Sequence, residues 1–136
     1  MFFKLYILMI LCHVIDDFVL QPVCLSKLKQ KDWWYDNVMN DATGNFSWEK
    51  SQLYKDDYKT ALGIHSLSWS AMIHLPIMFF LDVSSIFLIL SFFINACIHY
   101  LVDDAKANKK KINLVVDQHI HFGQLLITLI ITFLTI

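Results

Sequence analysis

Four apolar runs, each close to the length that crosses a bilayer, leave this chain little freedom in how it can fold. Spanning hydrocarbon as a helix takes roughly 20 residues, within a range of about 17–25. The runs cover about residues 2–20, 61–81, 86–102 and 118–136, and Pro76 offers a kink in the second. Backbone N–H and C=O groups facing lipid must be satisfied inside their own segment, so these runs are expected as helices. They predict an all-α, polytopic membrane protein, a single domain over residues 1–136 built as a four-transmembrane-helix bundle. Composition agrees: 57% of residues are hydrophobic and only 17% charged, too little charge to cover the surface of a soluble domain this small. The first run lacks a small-residue cleavage site after it, and Leu11 precedes Cys12, so it is expected to be retained.

A polar stretch over residues 21–60 separates the first two runs, with Asp41-Ala42-Thr43-Gly44-Asn45 as its clearest loop signal. Trp33, Trp34, Tyr35, Trp48, Tyr54 and Tyr58 are spread through it. Amphipathic aromatics beside a membrane usually sit at headgroup level, so this stretch is expected to be an interfacial loop. Its six Lys and the four Lys of the loop over residues 105–117 fall on one side of a four-span protein, leaving only Lys4 on the other. The excess of positive charge makes both loops cytoplasmic, in a bacterial inner membrane. All eleven basic residues are Lys, which fits AT-rich bacterial or phage coding. A net charge of −1 argues against nucleic acid as a partner. Cys12, Cys24 and Cys97 are too scattered for a disulfide framework, and Cys12 and Cys97 are expected to pack in apolar surroundings.

The polar residues within the runs carry the functional signal. An ionisable side chain at the centre of a span costs about 2.5–3.5 kcal/mol on insertion scales, yet His13, Asp17, His65, His99, Asp103, Asp117 and His121 all lie near the cytoplasmic ends of their runs. His13/Asp17, His99/Asp103 and Asp117/His121 are each four residues apart and so share a helix face. Gln21, Asn95, Lys106 and Gln124 extend these stripes. A narrow polar stripe on an otherwise apolar helix must face the bundle interior. Imidazole and carboxylate from facing helices are a familiar metal-binding set, and a mixed N/O shell suits zinc, manganese, iron or nickel. The competing explanation is a hydrogen-bonded polar network or a proton path. His74, about 13 Å deeper than His65 by helix rise, is left out of the site together with Asp82. Asp16, Asp104 and His119 fall off the stripes. The runs also pair up, with His-x3-Asp on the first of each pair and His65 matching His121, which suggests a twofold half-repeat.

The segments His13-Val-Ile-Asp-Asp17-Phe18-Val-Leu-Gln21, His65, His99-Tyr-Leu-Val-Asp103-Asp-Ala-Lys106 and Asp117-Gln118-His-Ile-His121 resemble, in order, the motifs of the DUF3307 family of small bacterial and phage membrane proteins. More loosely, the His/Asp-rich runs are similar to inner-membrane metal-dependent hydrolases. Residues and resemblance together make a metal-dependent hydrolase at the cytoplasmic leaflet the leading expectation. His13, Asp17, His65, His99, Asp103 and His121 would bind one or two divalent transition-metal ions, Asp117 would be a further ligand or a general base, and Lys106 would hold an anionic group. Membrane lipids are the expected partners, with a lipid or phosphoester as substrate, and a bundle this thin leaves room for a homo-oligomer. The alternatives are a metal-ion or proton transporter and a non-enzymatic small phage or bacterial membrane protein.

Overall fold

The computed structural model describes residues 1–21, 23–40 and 43–136, so Asp41 and Ala42 of the expected loop signal lie outside the described residues. The described chain is helical, with one isolated antiparallel bridge between Asn40 and Phe46 around a turn where Gly44 takes φ 84°. That left-handed backbone favours glycine because it has no Cβ. The helices are α1 (Phe2–Val14), running directly into a π-helical turn (Ile15–Leu20), then α2 (Val23–Leu28), α3 (Lys31–Asn37), α4 (Trp48–Tyr54), α5 (Asp57–Phe80), α6 (Ser85–Ala107) and α7 (Leu114–Thr135).

Three helices are long and apolar enough to cross a bilayer: Trp48–Phe80, which joins α4 to α5, and then α6 and α7. The stretch Phe2–Leu20 is helical throughout but carries Lys4, Asp16 and Asp17, and it does not meet the same standard. The outward faces are suited to lipid. On α6, Ile86, Ile89, Leu90, Phe93, Ile94 and Leu101 are all more than half exposed, a bare apolar face larger than soluble monomers usually tolerate.

Local sequence explains the boundaries. Ser84 caps α6, its hydroxyl accepting from the Phe87 N–H (3.5 Å), and Asn113 caps α7, accepting from the Val116 N–H (2.9 Å). α5 starts at Asp57, four residues before the apolar run begins, and continues through Pro76 to Phe80. α6 runs five residues past Val102, so Asp103 and Lys106 are helical. Between the first and second runs, α2, α3 and α4 replace an irregular loop. Their aromatics pack on each other, with Trp34 stacked on Tyr54 and Tyr35 on Phe46, while the Trp34 indole donates to the Leu28 carbonyl (2.6 Å).

α1 packs against α5 and α7, and α6 closes against both α5 and α7. Leu5, Met9, Trp69, Ile73, Ile77, Leu125 and Leu129 form the buried apolar core, toward the end of the bundle where α1 begins and α7 ends. At the opposite end the buried side chains turn polar. Cys97 departs from expectation: it is exposed rather than packed, while Cys12 is half-buried.

Candidate metal centre

His13, His65, His99 and His121 are all at most 1% exposed, as are Asp103 and Asp117, so the stripes face inward as the four-residue spacing requires. Asp17, His65 and His99 each bring a ligand atom within 4.8 Å of the others, and so do His99, Asp103 and His121. His99 belongs to both groups. Its Nε2 lies 3.1 Å from His65 Nε2, and its ring centroid is 4.2 Å from that of His121.

Trp69 forms the floor of the centre. Its indole stacks on His99 at 4.2 Å and 17°, and its Nε1–H donates to His13 Nδ1 at 2.6 Å. An indole can only donate, so His13 Nδ1 is the accepting nitrogen and its Nε2–H is left to donate to Gln118 Oε1 (3.0 Å). Both ring nitrogens of His13 are thus engaged, and His13 stands outside the two ligand groups while bordering them.

The π turn supplies the carboxylates opposite. The Gln21 N–H bonds back five residues to the Asp16 carbonyl (2.9 Å), and this wider turn lets two successive side chains reach inward. The expectation that Asp16 points away from the stripes is therefore overturned. Asp16 is 2% exposed, accepts from the Ser68 hydroxyl at 2.7 Å and lies 3.7 Å from His65 Nδ1. Asp17 lies 3.4 Å from His65 Nε2.

Two lysines cover the mouth. Lys106 Nζ lies 2.6 Å from Asp117 Oδ2 and 3.5 Å from Asp103 Oδ1, so it bridges two carboxylates rather than standing free at the rim. Lys29, 7% exposed and reaching in from just beyond α2, contacts Asp103 Oδ2 at 2.6 Å. With its amide turned to satisfy both neighbours, Gln21 accepts from Lys29 Nζ (2.9 Å) and donates to the Asp17 carbonyl (3.1 Å). Nothing in the sequence separates Lys29 from the other five Lys of its loop. Trp69 did carry a signal, since it sits one turn from His65 on the same face.

The donor set suits a cation. Among the described residues, these four carboxylates, Asp16, Asp17, Asp103 and Asp117, are met by two lysines, Lys29 and Lys106, and by the imidazoles of His65, His99 and His121. Asp16 Oδ2, Asp17 Oδ1, Asp117 Oδ1, His99 Nδ1 and both nitrogens of His121 are buried without a hydrogen-bond partner. Each such group costs about 1–3 kcal/mol, and buried unpaired charge costs more. All six atoms are of the types that ligate divalent transition metals.

The residues left out of the stripes fall elsewhere. His74 is buried but satisfied, with Nδ1 bonded to the Ser70 carbonyl (2.7 Å) and Nε2 to the Ser91 hydroxyl (2.9 Å). His119 bonds the Val115 carbonyl at the surface, Asp104 pairs with Lys109 (2.7 Å), and Asp82 is exposed.

Fold and centre together give an all-helical protein, among its described residues, with three helices long and apolar enough to cross a membrane and buried His/Asp groups that could hold a metal ion. No protein family, curated protein or solved structure matches the chain.

Proposed function

We propose that this protein is a membrane-embedded, metal-dependent hydrolase whose centre opens at the cytoplasmic leaflet of a bacterial inner membrane. In this proposal the helix Phe2–Leu20 is the fourth span, its carboxylates shielded by the bundle, and the Lys-rich loops are cytoplasmic. The observation that carries the proposal is the gathering, in one buried cluster, of four carboxylates against two lysines, with imidazole and carboxylate atoms that have no hydrogen-bond partner.

Asp17, His65, His99, Asp103 and His121 would hold one or two divalent ions of zinc, manganese or iron. A bound ion supplies Lewis acidity, activating water near neutral pH and polarising a phosphoryl or carbonyl oxygen. His13 orients the set by fixing Trp69 and Gln118. Asp117, held through Oδ2 by Lys106 and Gln118, would take a proton from water at Oδ1, which lies 3.5 Å from His121 Nε2. Lys106 is placed to neutralise charge on a departing anion.

Metal content of protein purified in detergent without chelator tests the proposal. Stoichiometric metal is expected in wild type, and His99→Ala should remove it because His99 serves both ligand groups. Metal-free wild type would sink the proposal.

A second reading, conduction of protons or metal ions, draws on one observation. A hydrogen-bonded series leads away from the centre: Gln124 donates to Asn95 (2.8 Å), Thr128 to Asn95 (3.0 Å), Asn95 to the Ser91 hydroxyl (3.3 Å), and Ser91 meets His74. The Asn95 and Gln124 amides do not relay protons readily, which favours the hydrolase. Proton or zinc flux into liposomes above that of a His74→Phe variant would reverse the preference.

A further inference from the structure

Beside the centre is a cleft of about 360 Å³, walled by the π turn, the end of α2, the end of α6 and the start of α7. Asp17, Lys29, Lys106 and Gln118 line both this cleft and the centre. Anything seated in the cleft therefore touches the side chains that hold Asp103 and Asp117. Lys110 completes the basic wall. Its backbone is left-handed (φ 54°), and its ammonium, 58% exposed, donates to the Ala107 carbonyl and lies 3.4 Å from Asp32 Oδ2.

The rest of the lining has a different chemistry. Phe18 and Leu114 also line the cleft, at 60% and 55% exposure. Val19, Leu20, Val115 and Val116 carry that bare apolar surface outward on the same two elements. The lining sets three ammonium groups against one carboxylate, Asp17, and a phosphate seated there would share Lys29 and Lys106 with Asp103 and Asp117. A pocket of this size takes a headgroup but not acyl chains, and the exposed apolar edge gives hydrocarbon a way to leave sideways into the bilayer.

Building on the hydrolase reading, we infer that the substrate is a lipid phosphate monoester. Its phosphate lies among Lys29, Lys106 and Lys110, and its hydrocarbon lies along Phe18 and Leu114. In the reaction, water adds across the ester P–O bond. Its oxygen joins phosphorus, one of its protons passes by way of Asp117 to the departing alcohol oxygen, and the products are the lipid alcohol and inorganic phosphate. No oxidant or second substrate is needed.

The test uses full-length protein in neutral detergent, with metal content measured on the same sample, and compares dioctanoyl phosphatidate, glycerol 3-phosphate and dioctanoylglycerol. Phosphatidate should bind at least about tenfold tighter than either other probe, since both walls then contribute, and should release inorganic phosphate. Lys110→Gln should weaken phosphatidate binding about fivefold, the value of one lysine near an anionic headgroup. Phe18→Ser should weaken phosphatidate but leave glycerol 3-phosphate unchanged. Equal binding of phosphatidate and glycerol 3-phosphate would point to a soluble phosphoester and overturn the lipid assignment. Equal binding of phosphatidate and dioctanoylglycerol would overturn the phosphate site. Metal-loaded protein that binds none of the three overturns this inference alone, whereas metal-free protein overturns the hydrolase reading beneath it.

Discussion

Two helices of this bundle carry the same His-x3-Asp spacing and put it to different use. On α6, His99 and Asp103 stand on regular α turns, 3.9 Å apart, and both belong to a ligand group. On α1, the regular helix ends just after His13 and the π turn begins at Ile15, so Asp16 and Asp17 both face inward. His13 meanwhile gives both nitrogens to Trp69 and Gln118. Four-residue spacing fixes which face a side chain is on. Helix type and neighbours decide whether its atoms remain free to bind anything.

The comparison breaks most sharply at the aspartates. Asp103 lies within 3.5 Å of Lys29, Lys106, His65 and His121, whereas Asp17 has Asp16 beside it as a second carboxylate. Asp103→Asn should therefore remove bound metal nearly completely, while Asp17→Asn should leave it bound but weakened about tenfold, a loss of roughly 1.4 kcal/mol. Competition against a fluorescent chelator measures both, and equal losses would erase the distinction between the helices.

Lys29 tests what neutralises the α6 carboxylate. Removing one partner of a buried ion pair costs about 3–5 kcal/mol, so Lys29→Met should lower the stability of metal-free protein by an amount near that range. Metal at Asp103 would replace the lost cation. Thermal unfolding with and without zinc should show the gap between variant and wild type shrinking on loading. A gap that ignores zinc would mean that Asp103 takes no part in binding.

The smallest effect is expected at the α1 histidine. His13→Phe leaves the Trp69 N–H and the Gln118 amide without their partner, a cost of about 1–3 kcal/mol in stability. Metal stoichiometry should be unchanged, since the ligand atoms lie elsewhere. Loss of metal in a folded variant would make His13 a ligand and restore the symmetry of the two helices.

What could be read from the sequence follows the same division. The inward stripes on α6 and α7 were legible because the period of a regular helix is fixed, so His99/Asp103 and Asp117/His121 had to share faces. The common depth of the polar residues was legible from their positions within apolar runs. The inward turn of Asp16 was not, because no residue pattern over Ile15–Leu20 announces a π turn. Lys29 was hidden among chemically identical neighbours, and its role arises only from where α2 packs. The two helices of the suggested half-repeat differ in the π turn, which follows α1 and has no counterpart on α6.

Trp69, His99 and Lys29 are brought together with side chains from α1 and α7, so the centre is closed by residues from opposite ends of the chain. Synthesis delivers α1 well before α7. Until Leu114–Thr135 emerges, Asp16, Asp17 and Asp103 sit in partly built membrane helices without the wall that Gln118 and His121 provide. The polar cluster is thus completed only by α7, and a chain stopped before residue 114 leaves those carboxylates without that cover.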